Sequence, residues 1–354
     1  MPVKQPKVLL VYPPPQLMDI EIPRPDGSLG LLYIAGALRR IGVEVDILDA
    51  SVGTVEDSLE ETFYKPVMQP NGLVRIGMSA DRIKEVIARG EYNIVGINSN
   101  FTPQTRMALG VAALAKTVSP EILVIAGGVN TRSSIPRFLN SGLVDIVCTT
   151  EGEKVIVEVI RKWSRGQFLG NVAGIAFKSG DGFVVNPPQS DTTYLNLDEL
   201  PFPAWDLLPM EKYERIAAPH EGTSSPNEWR QLRHAPIMTS RGCPFRCSYC
   251  HISNEKDDSK LTGEIGVLRL KSVERVMAEI EMLRSLGVRR LYFEDDSLLA
   301  KKSRVSTIFE RVAGMGLSIA DINGVNLVHF LINKGSGKFE IDHDYLELLK
   351  SAGF

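Results

Sequence analysis

Lys7-Val-Leu-Leu-Val-Tyr12 runs directly into Pro13-Pro-Pro15. An unbroken apolar run of strand length, closed by turn residues, is what a strand buried on both faces of a parallel sheet presents. Working outward, Leu29–Ile41 carries Leu31, Leu32, Ala35 and Leu38 at helical spacing, and Gly42 stops it. Val43–Leu48 reads as the second strand, Asp81–Arg89 as a helix and Ile94–Asn98 as a strand. Thr102–Val118 reads as a helix, with Thr102 as N-cap and Pro103 at its first position. Ile122–Ala126 and Asp145–Cys148 complete the strands, and Glu153–Trp163 is the last helix. Strands separated by helices predict an α/β fold over residues 1–165, an open, doubly wound parallel sheet.

Ligands of such sheets bind beyond the carboxyl ends of the strands. The loops there are Pro13–Pro15, Ser99–Thr102, Gly127–Thr131 and Thr149–Glu153. The first turn lacks a G-x-G-x-x-G pattern, and its prolines offer no N–H groups to a pyrophosphate, so a dinucleotide site is poorly supported. Cys148, at a strand end, reads as a buried structural thiol. Residues 166–234 read as a hairpin, Val172–Lys178 and Gly182–Val185 about Ser179-Gly-Asp-Gly182, then a linker over Thr192–Pro209 and a polar loop, Glu221–Glu228.

From residue 235 the pattern changes. Ala235–Ser240 is a strand, and Arg241-Gly-Cys-Pro-Phe-Arg-Cys-Ser-Tyr-Cys250 leaves its carboxyl end, where β/α barrels place reactive groups. Cys243, Cys247 and Cys250 are three of only four cysteines in 354 residues. Three thiolates can hold three irons of a [4Fe–4S] cluster and leave the fourth open, as a reactive metal site requires. A zinc site of these three with His251 or Cys148 is the competing reading, although Cys250 and His251 are adjacent and ill placed to share an ion. A disulfide framework is less favoured still, since four cysteines are too few to staple a chain of this length. Lys271–Leu286 is an amphipathic helix ended by Gly287, and Val288–Phe293 a strand delivering Glu294-Asp-Asp296. That acidic turn is either a cation-binding rim or a capping turn, with Asp296 or Ser297 as N-cap. Leu317–Asp321 reads as a third strand and Asp342–Ala352 as a helix. His220, His234, His251, His329 and His343 show no ligand spacing and read as surface or packing residues.

The C-x3-C-x2-C spacing with Tyr249 before the last cysteine closely resembles that of the radical S-adenosylmethionine (SAM) enzymes. The first half resembles the cobalamin-binding domain that precedes the radical SAM domain in one large subclass. That likeness rests on Tyr12-Pro-Pro-Pro15, the Gly127-Gly128 turn, Glu151-Gly-Glu153, and the linker Leu197-Asp-Glu-Leu-Pro-Phe-Pro-Ala-Trp-Asp-Leu-Leu-Pro209. It covers nearly the whole chain. The resemblance implies that Cys243, Cys247 and Cys250 ligate the cluster, that Tyr249 lies beside the SAM adenine, and that Glu294, Asp295 and Asp296 meet its amino group. It implies cobalamin contacts at Pro14, Ser99, Asn100, Thr102, Gly127, Gly128, Asn130, Thr150, Glu151 and Gly152. The D-x-H-x-x-G motif that supplies a cobalt-ligating histidine in methionine-synthase-like domains is missing, and Asn130 stands where a histidine is common, so the lower face of cobalt would not be held by a histidine of this half, as is often so in the resembled subclass.

The implied activity is cleavage of SAM to a 5′-deoxyadenosyl radical, with methyl transfer from cobalamin to an unactivated carbon of a small-molecule or natural-product substrate, and an external donor such as flavodoxin or ferredoxin. Three alternatives stay open: radical SAM cyclisation or rearrangement, an empty first domain serving as a scaffold, and a non-catalytic iron–sulfur subunit. About 100 residues follow Cys250, room for about three β/α units at about 30 or more each, so residues 235–354 are expected to form the first half of a partial barrel completed by a further segment or a second chain. Net charge is −3, which argues against a nucleic-acid footprint across the chain. No apolar run spans a bilayer and no signal-peptide pattern opens the sequence, so a cytoplasmic protein is expected.

Overall fold

A computed structural model describes residues 5–21, 28–216 and 232–354. His220 and the polar loop Glu221–Glu228 lie outside the described residues. The chain divides into two compact units: Met1–Tyr194 with Leu200–Lys212 and Asp258–Glu264, and Leu195–Glu199 with Tyr213–Asp257 and Ile265–Phe354. The first unit therefore runs well past residue 165, and the second also takes in a piece of the expected linker.

The first unit is built on β1 (Lys7–Tyr12), β2 (Glu44–Asp49), β3 (Ile94–Asn98), β4 (Leu123–Gly127), β5 (Ile146–Cys148), β6 (Ile175–Ser179) and β7 (Gly182–Asn186). Their spatial order is β7-β6-β5-β4-β3-β1-β2. The first five pair in parallel, as expected. The hairpin is no separate excursion: β6 pairs antiparallel with β5, so β6 and β7 extend the same sheet. Its backbone groups thus find partners that an isolated two-stranded ribbon would leave to water.

Helices α1 (Leu29–Arg40) and α6 (Gly152–Ser164) pack with Val8, Leu10, Ile94 and Ile125 in one core. Helices α2 (Ala80–Arg89) and α3 (Thr105–Val118) pack with Leu9, Val11, Val95 and Val124 in the other. The alternation within β1 is why its sequence is apolar throughout: successive side chains enter opposite cores. Two short helices, α4 (Val129–Ser133) and α5 (Ile135–Leu139), follow β4. Thr102 does not cap α3 with its side chain. It opens a 3-10 turn, Thr102–Gln104, and the Gln104 side chain accepts from the N–H groups of Asn100 (2.9 Å) and Phe101 (3.2 Å).

Residues Leu200–Lys212 are packed rather than free. Gly36 of α1 makes room for them: a Cβ there would lie 2.4 Å from the Phe202 carbonyl oxygen. The Ala204 N–H donates to Leu32 O (3.2 Å), and Arg39 pairs with both carboxylate oxygens of Asp206 (2.7 and 2.8 Å). Buried Lys212 donates to the carbonyls of Val52 (3.0 Å), Thr54 and Asp57 (2.6 Å).

The second unit holds a parallel sheet of β8 (His234–Ile237), β11 (Arg290–Phe293) and β12 (Ser318–Asp321), in that order. Between them, β9 (Ser240–Arg241) pairs antiparallel with β10 (Arg269–Leu270). Helices α7 (His251–Asp257), α8 (Val273–Ser285), α9 (Lys302–Val312) and α10 (His343–Ser351) connect and cover these strands. Ser272 caps α8 by accepting from Arg275 N, and Asp342 caps α10 by accepting from Tyr345 N. A hairpin of β13 (Leu331–Asn333) and β14 (Phe339–Ile341) follows β12. Three β/α units are present, as expected. Among the described residues no helix is long and apolar enough to cross a membrane.

Replacing Lys212 by Met keeps the aliphatic stem but leaves three carbonyls without their cationic donor. Unfolding of the first unit, followed by urea denaturation, is expected to lose about 2–4 kcal/mol relative to the parent chain.

Candidate functional site

The cysteine loop is anchored at both ends. β8 leads through Thr239 into β9, and Gly242 then turns the chain at φ +74°. A side chain at Gly242 would strike the carbonyls of Val267 (2.4 Å) and Gly266 (2.8 Å), so glycine alone fits both the angle and the space. The Cys243 N–H donates to Gly266 O (3.2 Å), the Cys250 N–H to Cys247 O (3.1 Å), and the Ser253 N–H to Cys250 O (3.1 Å) as α7 begins. Cys243 and Cys250 are half-buried, Cys247 is exposed, and all three thiols are free. Tyr249 beside them is 90% exposed.

β11 delivers the acidic turn to the same rim, but its carboxylates differ in what they can do. Asp295 is fully buried. Its carboxylate accepts from Thr239 Oγ1 (2.7 Å), Ser240 Oγ (2.5 Å) and the Thr239 N–H (3.0 Å). Burial pushes its pKa upward against those bonds and the charge of Lys271. Asp295 is thus engaged with the strand that carries the cysteine loop. Glu294 is half-buried and Asp296 exposed, so both remain at the rim. Atoms crowding the Asp296 carboxyl raise its pKa by desolvation, which His251 opposes. Ser297 makes no side-chain cap, and the turn leads only into a short 3-10 segment, so the capping reading of this turn fails.

Thr239 is gripped from further sides. Its carbonyl accepts from Lys271 N (3.0 Å) and Arg304 Nη2 (2.9 Å). Lys271 and Arg275 both pair with buried Glu279, at 2.6 and 2.7 Å, and burial brings the Lys271 pKa down to about 8.

At the carboxyl edge of the first unit's sheet, the order β2-β1-β3 makes a switch point between β1 and β3. Pro14 is buried, while Asn100 and Thr102 are exposed on the loop after β3. Gly128, at φ +112°, lies so close to this loop that a Cβ would fall 2.4 Å from Ser99 O and 2.5 Å from Asn100 Oδ1. The Asn130 amide nitrogen donates to Ser99 Oγ and Thr105 Oγ1, both at 2.8 Å. Asn130 is buried and ties the two loops together through that nitrogen. Asn98 Oδ1, Thr149 Oγ1 and Thr150 Oγ1 are buried at this edge with no hydrogen-bond partner. Glu151 and Gly152 stand half-buried where α6 begins.

Residues 27–160 match the B12 binding domain family. The chain is 28% identical over 372 aligned positions to a cytidylyl-2-hydroxyethylphosphonate methyltransferase of Streptomyces wedmorensis, covering 98% of this chain and 63% of that protein. It is 30% identical over 201 positions to an anaerobic magnesium-protoporphyrin IX monomethyl ester cyclase of Rubrivivax gelatinosus, covering 54% of this chain and 34% of that one. Its fold matches the radical SAM methyltransferase TsrM of Kitasatospora setae, solved with cobalamin and a [4Fe–4S] cluster, at a TM-score of 0.61 and 15% identity, covering all of this chain and 57% of that one. Residues 27–160 thus carry a B12 binding domain, and the chain as a whole has the fold of TsrM. It spans less than two thirds of the length of each of these three proteins.

Cobalamin, SAM and a [4Fe–4S] cluster are the cofactors of these radical SAM enzymes, and the residues in place fit them. Three free thiols on one short loop are the donor set that a four-iron cluster takes, one thiolate to each of three irons. Cys148 lies buried in β5 with its thiol pushed up to about 12 by burial, the state of a structural thiol and not of a ligand. The unpartnered Asn98 carbonyl oxygen and the Thr149 and Thr150 hydroxyls suit the side-chain amides around a corrin ring, since a buried polar group left unmatched costs about 1–3 kcal/mol.

Asn98, Asp321, Asn323 and Arg304 stand in no site motif of the sequence, whereas Thr149 opens one of the expected ligand loops. Asp321 closes β12 at the same rim and could have been found as a carboxylate ending a parallel strand. Its Oδ1 accepts from Asn323 N (3.0 Å), its Oδ2 is buried without a partner, and burial raises its pKa to about 7. The Asn323 side chain in turn donates to Glu294 O (3.0 Å) and Asp295 O (3.3 Å).

Two measurements check this arrangement. Asp295→Ala should cost the second unit about 3–5 kcal/mol in denaturant unfolding, because two hydroxyls and an N–H lose a buried anionic partner, whereas Asp296→Ala should stay within about 0.5 kcal/mol. Asp321 has a folded pKa above its unfolded value, so its contribution to stability is full below about pH 4 and is lost as pH rises toward 7. Asp321→Asn should remove that slope from the pH dependence of second-unit stability.

Proposed function

We propose that this protein is a radical SAM methyltransferase that modifies an unactivated carbon of a small-molecule substrate. The observation that carries the reading is the loop of three free thiols at the carboxyl end of β8, in one chain with a B12 binding domain. When bound, the reduced cluster supplies the electron that cleaves SAM, and cobalamin supplies the transferable methyl group.

The chain's own residues hold and separate these reagents. Cys243, Cys247 and Cys250 give three thiolates to a four-iron cubane, leaving one iron for the amino and carboxylate groups of SAM. Glu294 and Asp296 are the rim carboxylates that would meet that amino group, and Tyr249 would cover the adenine. Asp295 keeps the loop in register. On the first unit, Pro14, Ser99, Asn100, Thr102, Gly127, Gly128, Thr150, Glu151 and Gly152 line the cobalamin edge, joined by Asn98 and Thr149. Asn130 supports that edge from beneath. An external donor of the flavodoxin or ferredoxin class would reduce the cluster. The cytoplasm, which keeps thiols reduced, is the compartment that suits such a loop.

The resemblance to a cyclase supports a second reading, ring closure without methyl transfer. Both are tested by purifying the chain without oxygen and loading it with iron, sulfide and hydroxocobalamin. About four irons and one cobalt per chain are expected. Reduction with SAM and substrate should then yield 5′-deoxyadenosine together with S-adenosylhomocysteine. Deoxyadenosine without S-adenosylhomocysteine would favour ring closure, and zinc in place of iron would overturn both. Cys250→Ala should lose most of its iron and cleave SAM no faster than the uncatalysed background.

A further inference from the structure

Lys256 lies on α7, just beyond the third cysteine, and reaches back to the start of the cysteine loop. Its Nζ donates to the carbonyls of Cys243 (2.5 Å) and Phe245 (2.6 Å). Both acceptors lie at or between the first two cysteines. The lysine stem passes Gly266, where a Cβ would meet Lys256 Cγ at 2.9 Å. Gly266 also accepts the Cys243 N–H through its carbonyl (3.2 Å), so Lys256, Gly266 and Cys243 form one packed unit. Among the described residues the Lys256 ammonium meets these two carbonyls and no carboxylate. The neighbouring Asp257 is taken by Arg246 (2.6 Å).

A half-buried cation beside a ligand loop has an electrostatic consequence. Reduction adds one electron to the cluster, and a nearby uncompensated positive charge favours the reduced form. Net charge and solvent exposure around such clusters are among the main determinants of their potentials. At an effective protein dielectric, one charge within several ångströms shifts a one-electron equilibrium by about tenfold or more.

We propose that Lys256 is a positioning residue that fixes the backbone between Cys243 and Cys247 and, through its charge, raises the reduction potential of the cluster held there. The proposal rests on the cluster reading above. It concerns a one-electron reduction by an external flavodoxin- or ferredoxin-class donor, with no bond made or broken.

The test uses the full chain, reconstituted anaerobically, in Lys256→Gln, Lys256→Met and Lys256→Arg forms. Iron per chain is counted, and the midpoint is read by electron paramagnetic resonance during dithionite titration without SAM. Lys256→Gln, which keeps an N–H donor but no charge, is expected to hold iron like the parent chain. Its reduction equilibrium should be about tenfold or more less favourable, or about 59 mV lower for one electron. Lys256→Arg should titrate with the parent chain. Lys256→Met should match or exceed the loss seen with Gln, or shed iron while Gln retains it. An unchanged midpoint in Lys256→Gln would overturn the proposal, as would a drop in Lys256→Arg equal to that in Gln, or loss of iron from all three variants. A parent chain that assembles no [4Fe–4S] cluster would instead overturn the cluster reading itself.

Discussion

The buried carboxylate of Asp295 holds the reactive half of this molecule in register. It accepts three hydrogen bonds from Thr239 and Ser240, the two residues through which β8 passes into the cysteine loop. Arg304 and the Lys271 backbone fasten the Thr239 carbonyl from other sides. A buried anion is tolerated only where donors and positive charge surround it, and here they come from separate stretches of sequence. The end of β11, the start of α9 and the residue after β10 are thereby tied to one peptide. The cysteine loop leaves that fixed base through Gly242, and the Cys243 N–H is held by Gly266 O.

The first unit solves a related problem with neutral groups. Gly128 lets the turn after β4 approach the loop after β3, and Asn130 bridges Ser99 and Thr105. The edge is stiffened where the switch point opens, while Asn98, Thr149 and Thr150 keep acceptors unmatched. Rigid support beside unsatisfied polar atoms is the pattern of a binding edge whose partner brings its own donors. The sheet beneath is extended by β6 and β7 and covered by Leu200–Lys212, so the edge rests on a larger body than residues 1–165 alone would make.

The two units show different uses of buried charge. Lys212 spends its ammonium on three carbonyls and has a structural role. Lys271 is paired with Glu279 and lies behind the cysteine strand. Lys256 brings its charge to carbonyls of the loop that bears the thiols. Position relative to the cysteines, and not residue type, separates structural from electrostatic use.

Sequence by itself determined the parallel sheet, because β1, β3, β4 and β5 are short, mostly apolar runs and the helices α1, α2, α3 and α6 repeat at helical spacing. It also determined the three-thiol loop and the acidic turn, since local spacing writes both directly. Helix α9 carries the same kind of signal in Val305, Ile308, Phe309 and Val312, all buried at helical spacing. Only the tertiary structure decided what each polar group does. Glu294, Asp295 and Asp296 are adjacent acids of one chemistry, yet Asp295 is buried on Thr239 and Ser240 while the other two stay at the rim. Asn130 reads as a ligand contact in sequence and is a tie between loops in the fold. Lys256, Arg304 and Asp321 gave no local signal of their partners, which lie between 11 and 65 residues away for the first two. Periodicity records which face a residue shows to a core, but the partner of a buried charge is set by long-range packing, which no local pattern encodes.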